Sequence, residues 1–212
     1  MIYLIGGPPK CGKTTLAKQL SKSAGIPWVS TDTLQNVIKP YIAEQDFAAK
    51  FPLSSMNNES NDEKYAQNTT NEIINAYQQQ AKTVYDAVKA FVASEIADGN
   101  DYVIEGYHVE PVLIKELTTR YPDMIRGIIV IKKDVNKFLE DIHKSTTPND
   151  WILARTKDEA TFPKIAAMIM EYGAQLEREA EQQAIKVICT DGDFANQLQE
   201  ASVYLLNSSV TS

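Results

Sequence analysis

Along this chain, short apolar runs alternate with longer stretches in which apolar residues return every three or four positions, a pattern that predicts strand, helix, strand in succession. Met1 to Ile5, Ile26 to Ser30, Asp101 to Ile104, Ile125 to Ile131 and Ile185 to Cys189 read as strands. The run at 125–131, IRGIIVI, is nearly all apolar, as befits a strand covered on both faces. Leu16, Ala17, Leu20 and Ala24 mark a first helix, stopped by Gly25. Leu34, Val37 and Ile38 mark a second, and Ile73, Tyr77, Ala81, Val84, Val88, Phe91 and Val92 a long third that ends at Asp98-Gly99-Asn100. Later helices run through Leu113, Ile114 and Leu117 after Pro111, through Val135, Phe138, Leu139 and Ile142, through Ile165, Met168, Tyr172 and Leu176 after Pro163, and through Phe194, Leu198 and Tyr204. Five strands alternating with helices predict a parallel α/β sheet with right-handed crossovers.

Two stretches break the rhythm. Residues 39–61 hold Pro40, Pro52, three serines and several asparagines with no surviving period, so an irregular excursion is expected there, within a substrate-side insertion of about 34–72. Residues 144–160 are placed like a lid, and residues 207–212 read as a frayed end. Tyr77, Tyr85 and the glutamines at 78–80 either touch a ligand or, as core packing and a solvated face of the long helix explain better, do not.

Composition narrows the classes. With 212 residues and 43% hydrophobic content the chain can bury one substantial core, so a single domain over 1–212 is expected. A formal charge of -7 argues against general nucleic-acid binding, which needs a basic face. Two distant cysteines, Cys11 and Cys189, offer neither a disulfide framework nor a zinc spacing. No apolar run reaches membrane-spanning length, and a strand starting at residue 1 leaves no room for a signal peptide, so a cytoplasmic protein with no membrane partner is expected.

The chemistry concentrates at the amino-terminal turn. From Gly7 the spacing is four residues, then Gly12, Lys13 and Thr14, which is the phosphate-binding loop pattern, set between a strand and a helix as it must be. Glycines let successive N–H groups point at phosphate oxygens, and the helix adds its positive end. The expected nucleotide cradle is Gly7, Pro8, Pro9, Lys10, Cys11, Gly12, Lys13, Thr14 and Thr15, with Lys13 on the β- and γ-phosphates and Thr14 on Mg²⁺. The prolines stiffen the loop without donating, and the Cys11 thiol is incidental to it.

Two strand tips supply carboxylates. Asp32 follows the second strand, on the rim where open parallel sheets bind ligands; either Thr31 or Asp32 caps the next helix, or Asp32 orients or deprotonates a substrate hydroxyl. Glu105 closes the third strand beside the phosphate loop, as a carboxylate that holds the water shell of Mg²⁺ or activates the acceptor must. His108 reads either as a substrate contact or as a surface or hydrogen-bonding residue. Arg126 reads as a structural cation. Lys132 and Lys133 approach phosphate or form a solvated pair. Arg155, the only guanidinium of the lid, suits a charge-stabilising contact to the transferring phosphate. Thr190 and Asp191 either flank a base or serve as turn and cap residues.

The phosphate-loop strand, the Ser30-Thr31-Asp32 ending and the Glu105-Gly106, His108, Pro111 stretch together resemble the small-molecule and nucleotide kinase branch of P-loop proteins, most of all its 2-phosphoglycerate kinase and zeta-toxin-like group. The resemblance implies a three-layer P-loop NTPase fold with sheet order 2-3-1-4-5, a helical substrate insertion, and ATP with Mg²⁺ as donor. It also implies a lid with arginines. Nucleotide kinases usually carry two or more there; here Arg155 stands alone, with Lys144 and Lys157 as point charges beside it. The expected activity is transfer of phosphate from ATP to a small hydroxyl- or phosphate-bearing metabolite, through Lys13, Asp32, Glu105 and Arg155, with Asp32 and His108 at the substrate. The alternatives are a nucleotide-binding switch without transferase activity, or a nucleotide-sugar kinase of the toxin kind with an antitoxin-like partner.

Overall fold

The computed structural model describes residues 1–56, 59–145 and 150–207. Five strands, β1 (Ile2–Gly6), β2 (Trp28–Ser30), β3 (Tyr102–Glu105), β4 (Ile125–Ile131) and β5 (Lys186–Cys189), form one parallel sheet in the order β2-β3-β1-β4-β5. β1 lies centrally and every one of its residues is buried, as the apolar run predicts. Burying one such Ile or Leu contributes about 2 kcal/mol, so this strand anchors the core.

Crossover handedness builds the layers. The connection β1 to β2, helix α1 (Lys13–Ala24), runs toward one edge; α2 (Thr31–Ile38), α3 (Glu44–Lys50), α4 (Pro52–Ser55), α5 (Asn61–Gln67), α6 (Thr70–Ala97), α7 (Pro111–Arg120), α8 (Val135–His143), α9 (Trp151–Arg155) and α10 (Thr161–Gln182) lie in connections that run toward the other. Right-handed crossovers in opposite directions put their helices on opposite faces. α1 therefore shares its face with the closing helix α11 (Phe194–Leu206), while α7 and α10 pack on the other with α6 against α10.

The excursion expected to be irregular is largely helical over its described residues, 57 and 58 lying outside them. A 3-10 turn over Lys39–Tyr41 and helices α3 and α4 occupy it, and α5 opens at its end. Each is too short for its period to be seen, and Phe51, which links two of them, is wholly buried against the core. Of the lid stretch, residues 146–149 lie outside the described residues, as do 208–212 of the expected frayed end; what is described of the lid is α9 and its flanks. Asn61 Nδ2 donates to Trp151 O at 3.1 Å and Thr156 Oγ1 at 2.9 Å, so lid and insertion dock on one another. Among the described residues no helix is long and apolar enough to cross a membrane.

Candidate active site

β1 delivers Gly7 at the carboxyl rim of the sheet, where the chain must turn away without touching β4. A Cβ on Gly7 would lie 2.0 Å from Val130 O, and φ is +132°, so only glycine passes. The loop is then tied down on two sides. Thr190 Oγ1, after β5, donates to Cys11 O at 3.0 Å, and Lys10 Nζ pairs at 2.6 Å with Asp150, the residue that caps α9. Lys13 Nζ, opening α1, donates to Pro8 O at 2.5 Å and so lies across the mouth of the loop. Pro9, Lys10, Gly12, Lys13, Thr14 and Thr15 line a cavity of about 1550 Å³, whereas Gly7, Pro8 and Cys11 stand behind that wall. Burial pushes the Cys11 thiol up to about 11, which leaves it inert.

Both strand-tip acids reach the same cavity. Glu105 is 3% exposed and its Oε1 accepts from Thr14 Oγ1 at 3.0 Å. Burial raises its pKa, while Lys13 and the hydroxyls of Thr14 and Ser30 pull it back. A buried carboxylate beside the loop threonine is a pair of hard oxygen donors, and it fits Mg²⁺, which binds few protein oxygens and takes the rest from phosphates and water. Among the described residues no group of three or more His, Cys, Asp and Glu could hold a metal ion.

Asp32 does not cap its helix. Ser30 does, accepting from Asp32 N at 3.3 Å, and Asp32 occupies the first turn with 62% of its side chain open to the cleft. Protein walls around that cleft still displace bulk water and raise the Asp32 pKa, against the pull of Lys13 and Lys39. A carboxylate so placed can take a proton from a hydroxyl in the cleft.

His108, expected at the substrate, is instead wholly buried. Its Nδ1 meets Thr31 Oγ1 at 2.7 Å and its Nε2 meets Gln35 Oε1 at 2.9 Å; burial drives its pKa down to about 3, so it is a neutral strut behind Asp32. Gly106 makes that packing possible, because its Cβ would fall 1.8 Å from Thr31 Oγ1.

Arg155 ends α9 and lines the cavity beside α5, whose Lys64 also lines it; burial first and then Arg155 lower the Lys64 pKa to about 8. Lys132 is no solvated lysine: it is buried, pairs with Asp141 at 2.8 Å and lines the cavity, while Lys133 pairs with Glu177 outside. Arg126 is structural, donating to Leu205 O at 2.8 Å. Asp191 serves the turn, accepting from Lys133 N at 2.6 Å and Asp134 N at 3.0 Å. Among the described lining residues, nine lysines and arginines face three carboxylates, so an acidic protein presents a basic cleft.

Sequence reasoning missed Lys39, Lys64 and Asp150, and it favoured a solvated face for Gln80, which is 2% exposed and lines the cavity. Gln80 had a signal: it sits three residues from Tyr77 beside the apolar stripe of α6.

Comparison with known proteins agrees with this layout. Residues 3–92 match the ATPase family associated with various cellular activities (AAA). The chain is 26% identical over 159 residues to a 2-phosphoglycerate kinase of Pyrococcus horikoshii (73% of this chain, 50% of the relative). It is 25% identical over 120 residues to the mevalonate-3-phosphate 5-kinase of Thermoplasma acidophilum (56% of each). It is 24% identical over 197 residues to a 2-phosphoglycerate kinase of Methanopyrus kandleri (89% of this chain, 55% of the relative). The chain spans about half the length of these curated relatives.

Proposed function

We propose, for a chain that has the P-loop fold and is similar in sequence to small-molecule kinases, that it transfers the γ-phosphate of ATP to a hydroxyl or phosphate oxygen of a small metabolite. The observation that carries this reading is the convergence of Lys13, Glu105 and Asp32 on one basic cavity.

The loop N–H groups and Lys13 would bind the triphosphate, Lys13 exchanging its contact with Pro8 O for phosphate oxygens. Thr14 and Glu105 would hold Mg²⁺, which supplies neutralising charge to the phosphates when bound. With Glu105 committed to Thr14, the open Asp32 is left to orient the acceptor and take its proton. Arg155 and Lys64, from the lid and insertion, add positive charge where the transferred group would lie between loop and acceptor. Docking of α9 on α5 walls the cleft, which limits loss of phosphate to water. Catalysis here is alignment and charge stabilisation, as phosphoryl transfer requires.

Mass spectrometry of a metabolite pool incubated with the protein, ATP and Mg²⁺ tests the reading. A new phosphorylated product supports it; tight ATP binding with no product would favour a nucleotide-binding switch instead.

A further inference from the structure

Behind Asp32 runs a chain of hydrogen bonds whose polarity is fixed from one end. Ser54 is the third residue of α4, a first-turn position whose N–H has no partner within its helix. That N–H donates to Gln80 Oε1 at 3.1 Å, and Ser54 Oγ donates to the same oxygen at 3.3 Å. A backbone N–H can only donate, so Gln80 turns its carbonyl to α4 and its NH₂ inward. The inward NH₂ donates to Tyr107 OH at 2.8 Å and to Gln35 Oε1 at 2.7 Å. Gln35 therefore turns its own carbonyl toward Gln80, and that oxygen also accepts from Tyr107 OH at 3.0 Å and from His108 Nε2 at 2.9 Å. The last contact sets the imidazole tautomer, leaving Nδ1 to accept from the Thr31 hydroxyl.

The consequence falls on the other end of Gln35. With these bonds of its carboxamide made through Oε1, the Nε2 carries two N–H groups that no atom accepts among the described residues. Yet the only buried side-chain N or O without a partner among the described residues is Asp191 Oδ1. Gln35 Nε2 is thus reachable from outside, and Gln35 lines the cavity. It lies one turn after Asp32 on α2, a spacing that puts the two side chains on the same face about 5–6 Å apart at Cβ. Lys39, one further turn on, lines the same wall.

We propose that Gln35 is a specificity-determining residue whose carboxamide NH₂ donates to an oxyanion oxygen of the acceptor, placed next to the hydroxyl that Asp32 receives. The acceptor class is then a small hydroxy compound carrying a carboxylate or phosphate within two or three atoms of the reacting oxygen. The donor cannot rotate to accept instead, because doing so would put NH₂ against the NH₂ of Gln80 and the N–H of His108 and leave buried donors unsatisfied. With Lys39 on the same wall, the donor favours an oxyanion over a neutral oxygen, because the lysine charge adds to the hydrogen bond. Acceptor chemistry here rests on the kinase reading, but the Gln35 contact is a binding event with its own readout.

The test uses the full chain labelled with ¹⁵N and four probes: D-glycerate, glycerol 1-phosphate, 2-phosphoglycerate and glycerol. The expected result is a shift of the Gln35 side-chain NH₂ resonances with probes that carry an oxyanion and none with glycerol; a response to D-glycerate alone or to glycerol 1-phosphate alone assigns the oxyanion as carboxylate or phosphate. Gln35→Glu, which replaces the donor by a negative oxygen, should weaken the responding probe at least tenfold, with the affinity for the fluorescent analogue mant-ATP as the control for folding. Gln35 resonances unmoved by all four probes, or moved as much by glycerol, would overturn the assignment even if phosphate is transferred. A Gln35 shift without any product on adding ATP and Mg²⁺ would keep the assignment and defeat the kinase reading.

Discussion

Thr14 Oγ1 donates to Glu105 Oε1 at 3.0 Å, joining the first residues of α1 to the tip of β3 across 91 positions of sequence. Parallel pairing of β1 with β3 makes this possible: Ile5 lies beside Glu105 in register, so the loop after one strand meets the last residue of its neighbour. Glu105→Gln keeps an oxygen for Thr14 but removes the charge. It should lower kcat about a hundredfold, the scale of losing one charge-stabilising group, with little change in melting temperature. Steady-state rates over a Mg²⁺ titration, beside a thermal melt, check this.

Asp32→Asn should leave nucleotide affinity within about twofold while transfer to an alcohol falls at least a hundredfold, within the range of losing a general base. Separate measurement of mant-ATP binding and product formation distinguishes this from a binding defect. Equal losses in both would place Asp32 with the nucleotide instead.

Much of this site was legible because it is carried by local patterns. The phosphate loop, the strand ends that hold Asp32 and Glu105, and the Gly25 stop each depend on a few adjacent residues. What was not legible depends on distant contacts. His108 looked like a loop histidine until Thr31 and Gln35, 77 and 73 positions away, closed on both ring nitrogens. Lys132 looked solvated beside Lys133, and only the packing of α8 on α10 brings Asp141 back to it. The helices of the insertion are four to seven residues long, too short to show a period.

Gly106→Ala places a methyl on Thr31 Oγ1 and demands a φ of +154° from an L side chain. A loss of roughly 3 kcal/mol is expected, about 9 °C in melting temperature for a chain of this size. The double variant Gly106→Ala with Thr31→Gly should recover part of the loss in a thermal melt, since it removes the clashing hydroxyl.

Two buried groups give stability a pH dependence of opposite sign. Glu110 is buried, with Tyr85 OH and Tyr172 OH donating to it, and burial lifts its pKa from 4.5 to about 7. A carboxyl raised on folding favours the folded state below pH 4.5, and that advantage is lost as pH rises to about 7, by about 3 kcal/mol in all. His108, lowered from 6.5 to about 3, contributes stability that is full above pH 6.5 and falls away below it. Chemical unfolding from pH 4 to 8 should therefore show Glu110→Gln gaining stability relative to the parent as pH rises from 4.5 to 7, while His108→Gln loses sensitivity to acid below 6.5.

The central claim is that the amino-terminal loop grips a triphosphate through Lys13, and mant-ATP titration of the parent and of Lys13→Ala in the presence of Mg²⁺ tests it most directly. Saturable binding by the parent, at least tenfold weaker in a variant whose melting curve is unchanged, is the predicted result. Equal affinity in the two proteins would contradict it.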